Sequence, residues 1–263
     1  MPSLFPFSSC PSVGIFGFGA FGQLIARHLA PYFSLLVHDR NADVSASAGQ
    51  GNVRCADLVA TAACDIVILA VPVSQMASVI SDISSHLRPG AIVLDVGSVK
   101  IEPARLMRAG LPDHVDIIGT HPLFGPQSAR AGIAGLKIAI CPVRGQRFRR
   151  VAAFLRRTLG LNVFVVTPEE HDREAAIVQG VTHLIAKVLV RMDPLPTRMT
   201  TASFDLLVGA TEMVRHDAPG VFWAIENANP HAGAVREQFF ALAMEVRDQL
   251  RADQSELMPL AAV

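Results

Sequence analysis

The chain has little charge and no excess of either sign: of 263 residues, 23 are basic, 23 are acidic, and charged residues make up 17%. Nothing in that balance asks for nucleic acid or an anionic membrane surface as a partner. No apolar run approaches the roughly eighteen residues that a membrane span needs. Residues Met1 to Pro11 lack the basic start and long apolar core of a secretory signal, so a soluble, cytoplasmic protein is expected. Cys10, Cys55, Cys64 and Cys141 show no C-x-x-C spacing. This argues against a zinc site or a disulfide framework, and predicts buried thiols and no metal. Internal repeats and low-complexity linkers are also missing. The surplus is in apolar residues, 51% of the total, which predicts an extra buried surface such as a subunit interface.

The most informative segment is Val13-Gly14-Ile15-Phe16-Gly17-Phe18-Gly19-Ala20-Phe21-Gly22. A short apolar run feeds a G-x-G-x-x-G turn, and a helical apolar pattern follows from Leu24 to Leu29. In this context Gly17 allows the tight turn, Gly19 lets the backbone approach a pyrophosphate, and Gly22 lets helix pack on strand. A second apolar run, Leu35 to Val37, ends at His38-Asp39, which places an acid about twenty residues after the turn, as a dinucleotide fingerprint requires. Asp39 would bond the ribose hydroxyls and repel a 2′-phosphate, which favours NAD; Arg40 beside it keeps NADP as the alternative.

Through residue 166 short apolar runs alternate with helical text. Ile66 to Val71, Ala91 to Val96, Val115 to Gly119, Leu136 to Cys141 and Val163 to Val166 read as strands. Ser74 to His86, Ile101 to Ala109 and Arg147 to Leu159 read as helices. The alternation predicts a Rossmann-like, doubly wound and mostly parallel sheet, with antiparallel strands left open near its end. At Thr167-Pro168-Glu169-Glu170 a capping box starts a helix, and no strand pattern returns. Helical text covers Glu169 to Arg191, Thr200 to Val214, Val221 to Ala228 and a last segment after Pro230, broken at Asp193-Pro194-Leu195-Pro196. The chain therefore divides into a dinucleotide-binding part, 1–166, and an all-helical part, 167–263. The last helix carries Val235, Phe239, Leu242, Val246 and Leu250 as an apolar stripe that must cover something, its own domain or a second subunit.

Ligands of open α/β sheets lie beyond the carboxyl ends of the strands. Val71 ends one strand, and Pro72-Val73-Ser74 after it would edge the nicotinamide. Ser98 follows another, and His121 follows the strand ending near Thr120. A dehydrogenase needs a group to take a hydroxyl proton, and histidine titrates in the useful range, so His121 is the candidate base, with Ser98 as its hydrogen-bonding partner. Asp172, Gln179 and His183 share one face of a regular helix. Pattern alone favours solvent for that face over a site, with Val181, Ile185 and Val188 on the buried side. His171, near the N-cap, reads as a surface residue.

Gly17 to Gly22, Asp95-Val96-Gly97-Ser98-Val99-Lys100, Thr120-His121-Pro122-Leu123-Phe124-Gly125-Pro126, Glu169-Glu170-His171-Asp172-Arg173 and Thr182-His183 occur in this order in prephenate and arogenate dehydrogenases, which the chain resembles over about residues 12 to 250. Ser203-Phe204-Asp205-Leu206-Leu207 and the stretch from His121 to Ser128 are more similar to the arogenate branch. The resemblance implies oxidative decarboxylation of a cyclohexadienyl acid, L-arogenate or prephenate, with hydride transfer to NAD(P) in tyrosine biosynthesis, and a homodimer formed through the helical domain. It gives His121 and Ser98 to the ring hydroxyl, and His183, with Asp172 in support, to the substrate pocket. An arginine usually holds the ring carboxylate. Arg215 is the candidate, although its spacing does not align cleanly, and Arg130 or Lys100 are alternatives. Two other readings stand beside it: a hydroxyacid or imine reductase of the same two-part plan, and a non-catalytic dinucleotide sensor.

Overall fold

The computed structural model describes residues 11–41 and 52–257. Cys10 and the N-terminal stretch before residue 11 lie outside the described residues. The order is β1 (Ser12–Phe16), α1 (Ala20–Leu29), β2 (Ser34–His38), β3 (Val53–Cys55), α2 (Leu58–Ala62), β4 (Ile66–Leu69), α3 (Val73–Ile83), β5 (Ile92–Asp95), α4 (Ile101–Gly110), β6 (Asp116–Pro122), β7 (Lys137–Arg144), α5 (Phe148–Arg157) and β8 (Asn162–Val165). Helices alone follow among the described residues: α6 (Pro168–Ala175), a π-turn (Ala176–Val181), α7 (Thr182–Arg191), α8 (Ala202–Val214), α9 (Pro219–Trp223), a second π-turn (Ala224–Ala228) and α10 (Ala232–Leu257).

The strands form one sheet in the order β3-β2-β1-β4-β5-β6-β7-β8. Every neighbouring pair is parallel except β6 and β7. The order reverses between β1 and β4, which opens a crevice at the strand ends where such folds take ligands. Successive residues of β4 point to opposite faces: Val67 and Leu69 join Met76, Ile80, Ile83 and Met107 of α3 and α4. Ile66 and Ile68 join Ala26, Val151 and Phe154 of α1 and α5. A strand apolar on both faces is what a sheet covered by helices on both sides demands.

The sequence does not announce β3 or α2. β3 has three residues, half-buried Val53 followed by exposed Arg54 and Cys55, and so carries no alternation to read. Cys64 and Cys141 are buried as expected, whereas Cys55 is exposed on this edge strand. The capping box forms as predicted, with Thr167 Oγ1 accepting from Glu170 N at 3.1 Å and Glu170 Oε2 accepting from Thr167 N at 2.8 Å. The stripe on α10 meets no cover within one chain beyond its first turns: Leu242, Val246 and Leu250 are 51%, 55% and 59% exposed. No helix among the described residues is long and apolar enough to cross a membrane.

Candidate active site

The glycine turn is built for a ligand that approaches the backbone. Gly17 has φ +95°, and a Cβ there would lie 2.4 Å from the Ala70 carbonyl oxygen. A Cβ on Gly22 would lie 2.2 Å from the Gly17 carbonyl oxygen, while one on Gly19 would meet nothing within 4 Å. Gly19 caps α1 without a side chain, and the first turn holds no acid, so the helix N-terminus is left to an anion. A cleft of about 280 Å³ adjoins it, lined by Gly17, Gly19, Asp39, Arg40, Val71 and Pro72 among others. Asp39 is fixed at the end of β2, its carboxylate accepting from Phe18 N at 2.6 Å and Asn41 N at 2.8 Å. Arg40 is turned onto α3, 3.1 Å from both Ser78 Oγ and Asp82 Oδ2. Ala20 stands exposed at the start of α1. The Phe18 and Phe21 side chains pack into apolar clusters, so these two offer the cleft only backbone.

His121 lies inside β6, one residue from its end and paired with Ala139 of β7, rather than in a loop beyond the strand. It is 4% exposed. Its Nδ1 is 2.8 Å from His171 Nε2, and His171 Nδ1 is 2.7 Å from Asp172 Oδ1. Gln179 Nε2 stands 3.4 Å from His121 Nε2. Asp172 also accepts from the backbone N–H of Lys100 at 2.6 Å and of Ile101 at 2.8 Å, capping α4 from another part of the chain. Burial, with His171 and Lys100 alongside, holds His121 well below the ordinary 6.5, so it rests neutral. A neutral imidazole keeps a lone pair that can take a proton, which is what a general base needs.

Three residue readings change here. His171 is buried, not a surface residue, and it is His171 rather than Ser98 that bonds His121. Ser98 is half-buried in the loop after β5. Lys100 is fully buried in an ion pair with Asp95 and cannot reach out to a ring carboxylate. The polar stripe of the helix after Thr167 is not a solvent face: Asp172 and His183 are buried and Gln179 is half-buried, while of the expected buried side Val188 is 52% exposed and Val181 and Ile185 are half-buried. The π-turn at Ala176–Val181 explains part of this, because its wider i→i+5 turn breaks the 3.6-residue count and turns Gln179 toward His121.

His183 belongs to a second cluster. Its Nε2 is 3.4 Å from Asp217 Oδ2 and its ring is 6.2 Å from that of Phe222. Burial first, then Lys187, lowers its pKa. Arg215 is engaged by Asp193 at 2.5 Å and Glu212 at 3.2 Å, whereas Arg130 stays exposed. Glu226, which sequence reading passed over, is buried in the second π-turn and paired with Arg236 at 2.8 Å, and its other oxygen lies against Gly180. Nothing in a lone Glu within a helical run would have marked it.

Residues 27–138 match the family profile described as prephenate dehydrogenase, nucleotide-binding domain. Arogenate dehydrogenase 2, chloroplastic, of Arabidopsis thaliana is 30% identical over 236 residues, covering 86% of this chain and 66% of the plant protein. The probable arogenate/prephenate dehydrogenase of Methanocaldococcus jannaschii is 28% identical over 195 residues, 70% of this chain and 43% of its own. The chain thus spans under two thirds of either relative. The crystal structure of prephenate dehydrogenase from A. aeolicus, in complex with hydroxyphenyl propionate and NAD+, superposes with a TM-score of 0.73 at 21% identity, covering 97% of this chain and 95% of that one.

Proposed function

The chain belongs to the prephenate and arogenate dehydrogenase family, and from that we propose that it oxidatively decarboxylates a cyclohexadienyl acid, L-arogenate or prephenate, with NAD as hydride acceptor. The observation that carries the proposal is His121, a buried neutral histidine at the carboxyl end of β6 with its Nε2 beside Gln179. Gly17 to Gly22 and the N-terminus of α1 would hold the pyrophosphate, which the open space at Gly19 fits. Asp39, held at the cleft as an acceptor, suits ribose hydroxyls, and Arg40 is occupied by Asp82, which supports NAD over NADP. When bound, the nicotinamide supplies the hydride acceptor.

His121 Nε2 takes the ring hydroxyl proton while the electrons of the carbinol C–H bond leave as hydride. The ring carboxylate departs as CO2, its bonding pair enters the ring, and the resulting phenolate recovers the proton from His121. Loss of CO2 makes an aromatic ring, so the protein has chiefly to hold the acid in place and manage one proton. Gln179 is already at His121, and Ser98 lies at the neighbouring strand end, placed to meet the same hydroxyl. His183 and Arg215 are the proposed contacts for the substrate's carboxylates, with Arg215 exchanging Asp193 for the substrate. Leu206 and Met213 of α8 and Leu242, Val246 and Leu250 of α10 are exposed apolar residues on helices, which supports a homodimer through residues 167–263.

The test is initial rates of nicotinamide reduction, crossing L-arogenate and prephenate with NAD and NADP, for the unsubstituted chain and His121→Asn. Turnover that falls by about 10²-fold or more in the variant is expected. Dinucleotide binding without turnover in all four combinations overturns the reading and favours the sensor.

A further inference from the structure

The chemistry of three buried groups fixes where their protons sit. Asp172 accepts backbone N–H bonds from Lys100 and Ile101, as an ionised carboxylate does, and has only lone pairs to offer. His171 Nδ1, 2.7 Å away, must therefore carry hydrogen and donate it. In neutral His171 the Nε2 then holds a lone pair. The 2.8 Å contact between that atom and His121 Nδ1 is a hydrogen bond only when His121 carries its hydrogen on Nδ1. His121 Nε2 is left bare, and the Gln179 amide nitrogen, 3.4 Å from it, is a donor that suits a bare nitrogen.

Resting on the reaction proposed above, we propose that His171 is the positioning residue of this site: bridging Asp172 and His121, it locks His121 in the tautomer whose Nε2 accepts the substrate's hydroxyl proton, and shares the positive charge once that proton arrives. Asp172 stays ionised throughout, because protonation would forfeit its bonds to α4. The groups packed around the pair are Asp172 on α6, Lys100 with Asp95 beneath it, and Cys141 on β7 and Glu169 beyond them. Burial pushes the Cys141 thiol up to about 12, so it stays protonated and adds no charge.

The test begins without substrate or dinucleotide, so that it stands apart from the proposed reaction. Proton–nitrogen NMR correlations on the full chain, labelled at histidine and held at mildly alkaline pH, report which nitrogen of His121 carries hydrogen. The expected result is hydrogen on Nδ1 in the unsubstituted chain and a shift toward Nε2 in His171→Leu. His171→Gln keeps the Nδ1 form, because an amide can accept from His121 and donate to Asp172 at once. In turnover, His171→Leu loses about 10²-fold in kcat with KM within about threefold, and His171→Gln restores it to within about tenfold. An unsubstituted chain already in the Nε2 form, an unmoved tautomer in His171→Leu, or equal losses in Leu and Gln variants overturns the proposal. Should His171→Leu not fold, the unsubstituted tautomer and the His171→Gln rate decide it. Failure of the unsubstituted chain to turn over removes the reaction but leaves the NMR result to decide the histidine geometry.

Discussion

Asp172 Oδ2 accepts the backbone N–H of Ile101 at 2.8 Å, across 71 positions of sequence. The first turn of α4, which follows the Ser98 loop, thus hangs from a carboxylate on α6, and the nucleotide-binding and helical parts share one buried acceptor. Replacing Asp172 by Ala strands two buried N–H groups and the His171 donor. The expected cost is about 3–5 kcal/mol, read from the urea midpoint, with Asp172→Asn at about half of that because one acceptor oxygen remains. A loss below about 1 kcal/mol for the Ala variant would show that water replaces the carboxylate.

The pH dependence follows from His121. The proposed base works when neutral, and burial, with His171 and Lys100 alongside, lowers its pKa below 6.5. kcat/KM therefore stays level as pH falls through 6.5 and declines only at lower pH. Stability moves the same way. His121 and His183 both have folded pKa values below the unfolded 6.5, so the unfolded chain binds more protons in that interval. Their contribution is complete above 6.5 and fades as pH drops beneath it. An acid limb of activity at or above 6.5 contradicts the assignment.

Two glycines of the same turn give opposite outcomes. Gly22→Ala brings a methyl to 2.2 Å from the Gly17 carbonyl oxygen, and a loss of about 1–3 kcal/mol in stability accompanies the loss of dinucleotide binding. Gly19→Ala meets no protein atom within 4 Å. Its melting temperature stays within about a degree or two of the parent, while fluorescence titration shows weakened NAD binding, because the methyl takes the space proposed for the pyrophosphate.

In the proposed binding mode Asp39 and Arg40 set the choice of dinucleotide. Asp39→Ser is expected to raise the KM for NAD about tenfold, the equivalent of one lost charge-assisted bond of about 1.4 kcal/mol. Adding Asp82→Asn frees Arg40 from its 3.1 Å partner, and the double variant then lowers the KM for NADP. Unchanged KM values for both dinucleotides place the adenosine ribose elsewhere.

Light scattering tests the proposed subunit contact. The unsubstituted chain is expected to be a dimer, and Leu242→Glu combined with Leu250→Glu, which puts two charges on the bare stripe of α10, to be a monomer without loss of helix by circular dichroism. A dimer that survives both changes lies on another face.

The alternating half of the chain was readable because each β-strand from Val67 to Val93 is apolar on both faces and each helix on one, a pattern that follows from helices covering both sides of a sheet. His121 was readable because strand ends are where ligands gather. His171 was not, since its neighbour Thr167 marks a helix start, where histidines are ordinarily wet. What buries it is a contact with β6 that lies 50 positions away. Lys100 misled for a related reason: a lysine in a loop reads as solvated, and only the fold supplies Asp95 to hold it. The burial of the polar stripe that starts at Asp172 was hidden because helical counting assumes one uniform winding.

That assumption fails at Ala176–Val181 in a way that can be stated as an angle. A π-turn is a helix holding one residue more than its winding allows, and one residue corresponds to about 100° of rotation. Because the wide turn takes up that residue, α7 leaves it facing as it would from a regular helix one residue shorter. Excising one residue inside the turn would close it to regular winding and keep His183 on its buried side. The turn is slack in the winding: it lets Gln179 lean toward His121 without turning the helix that follows.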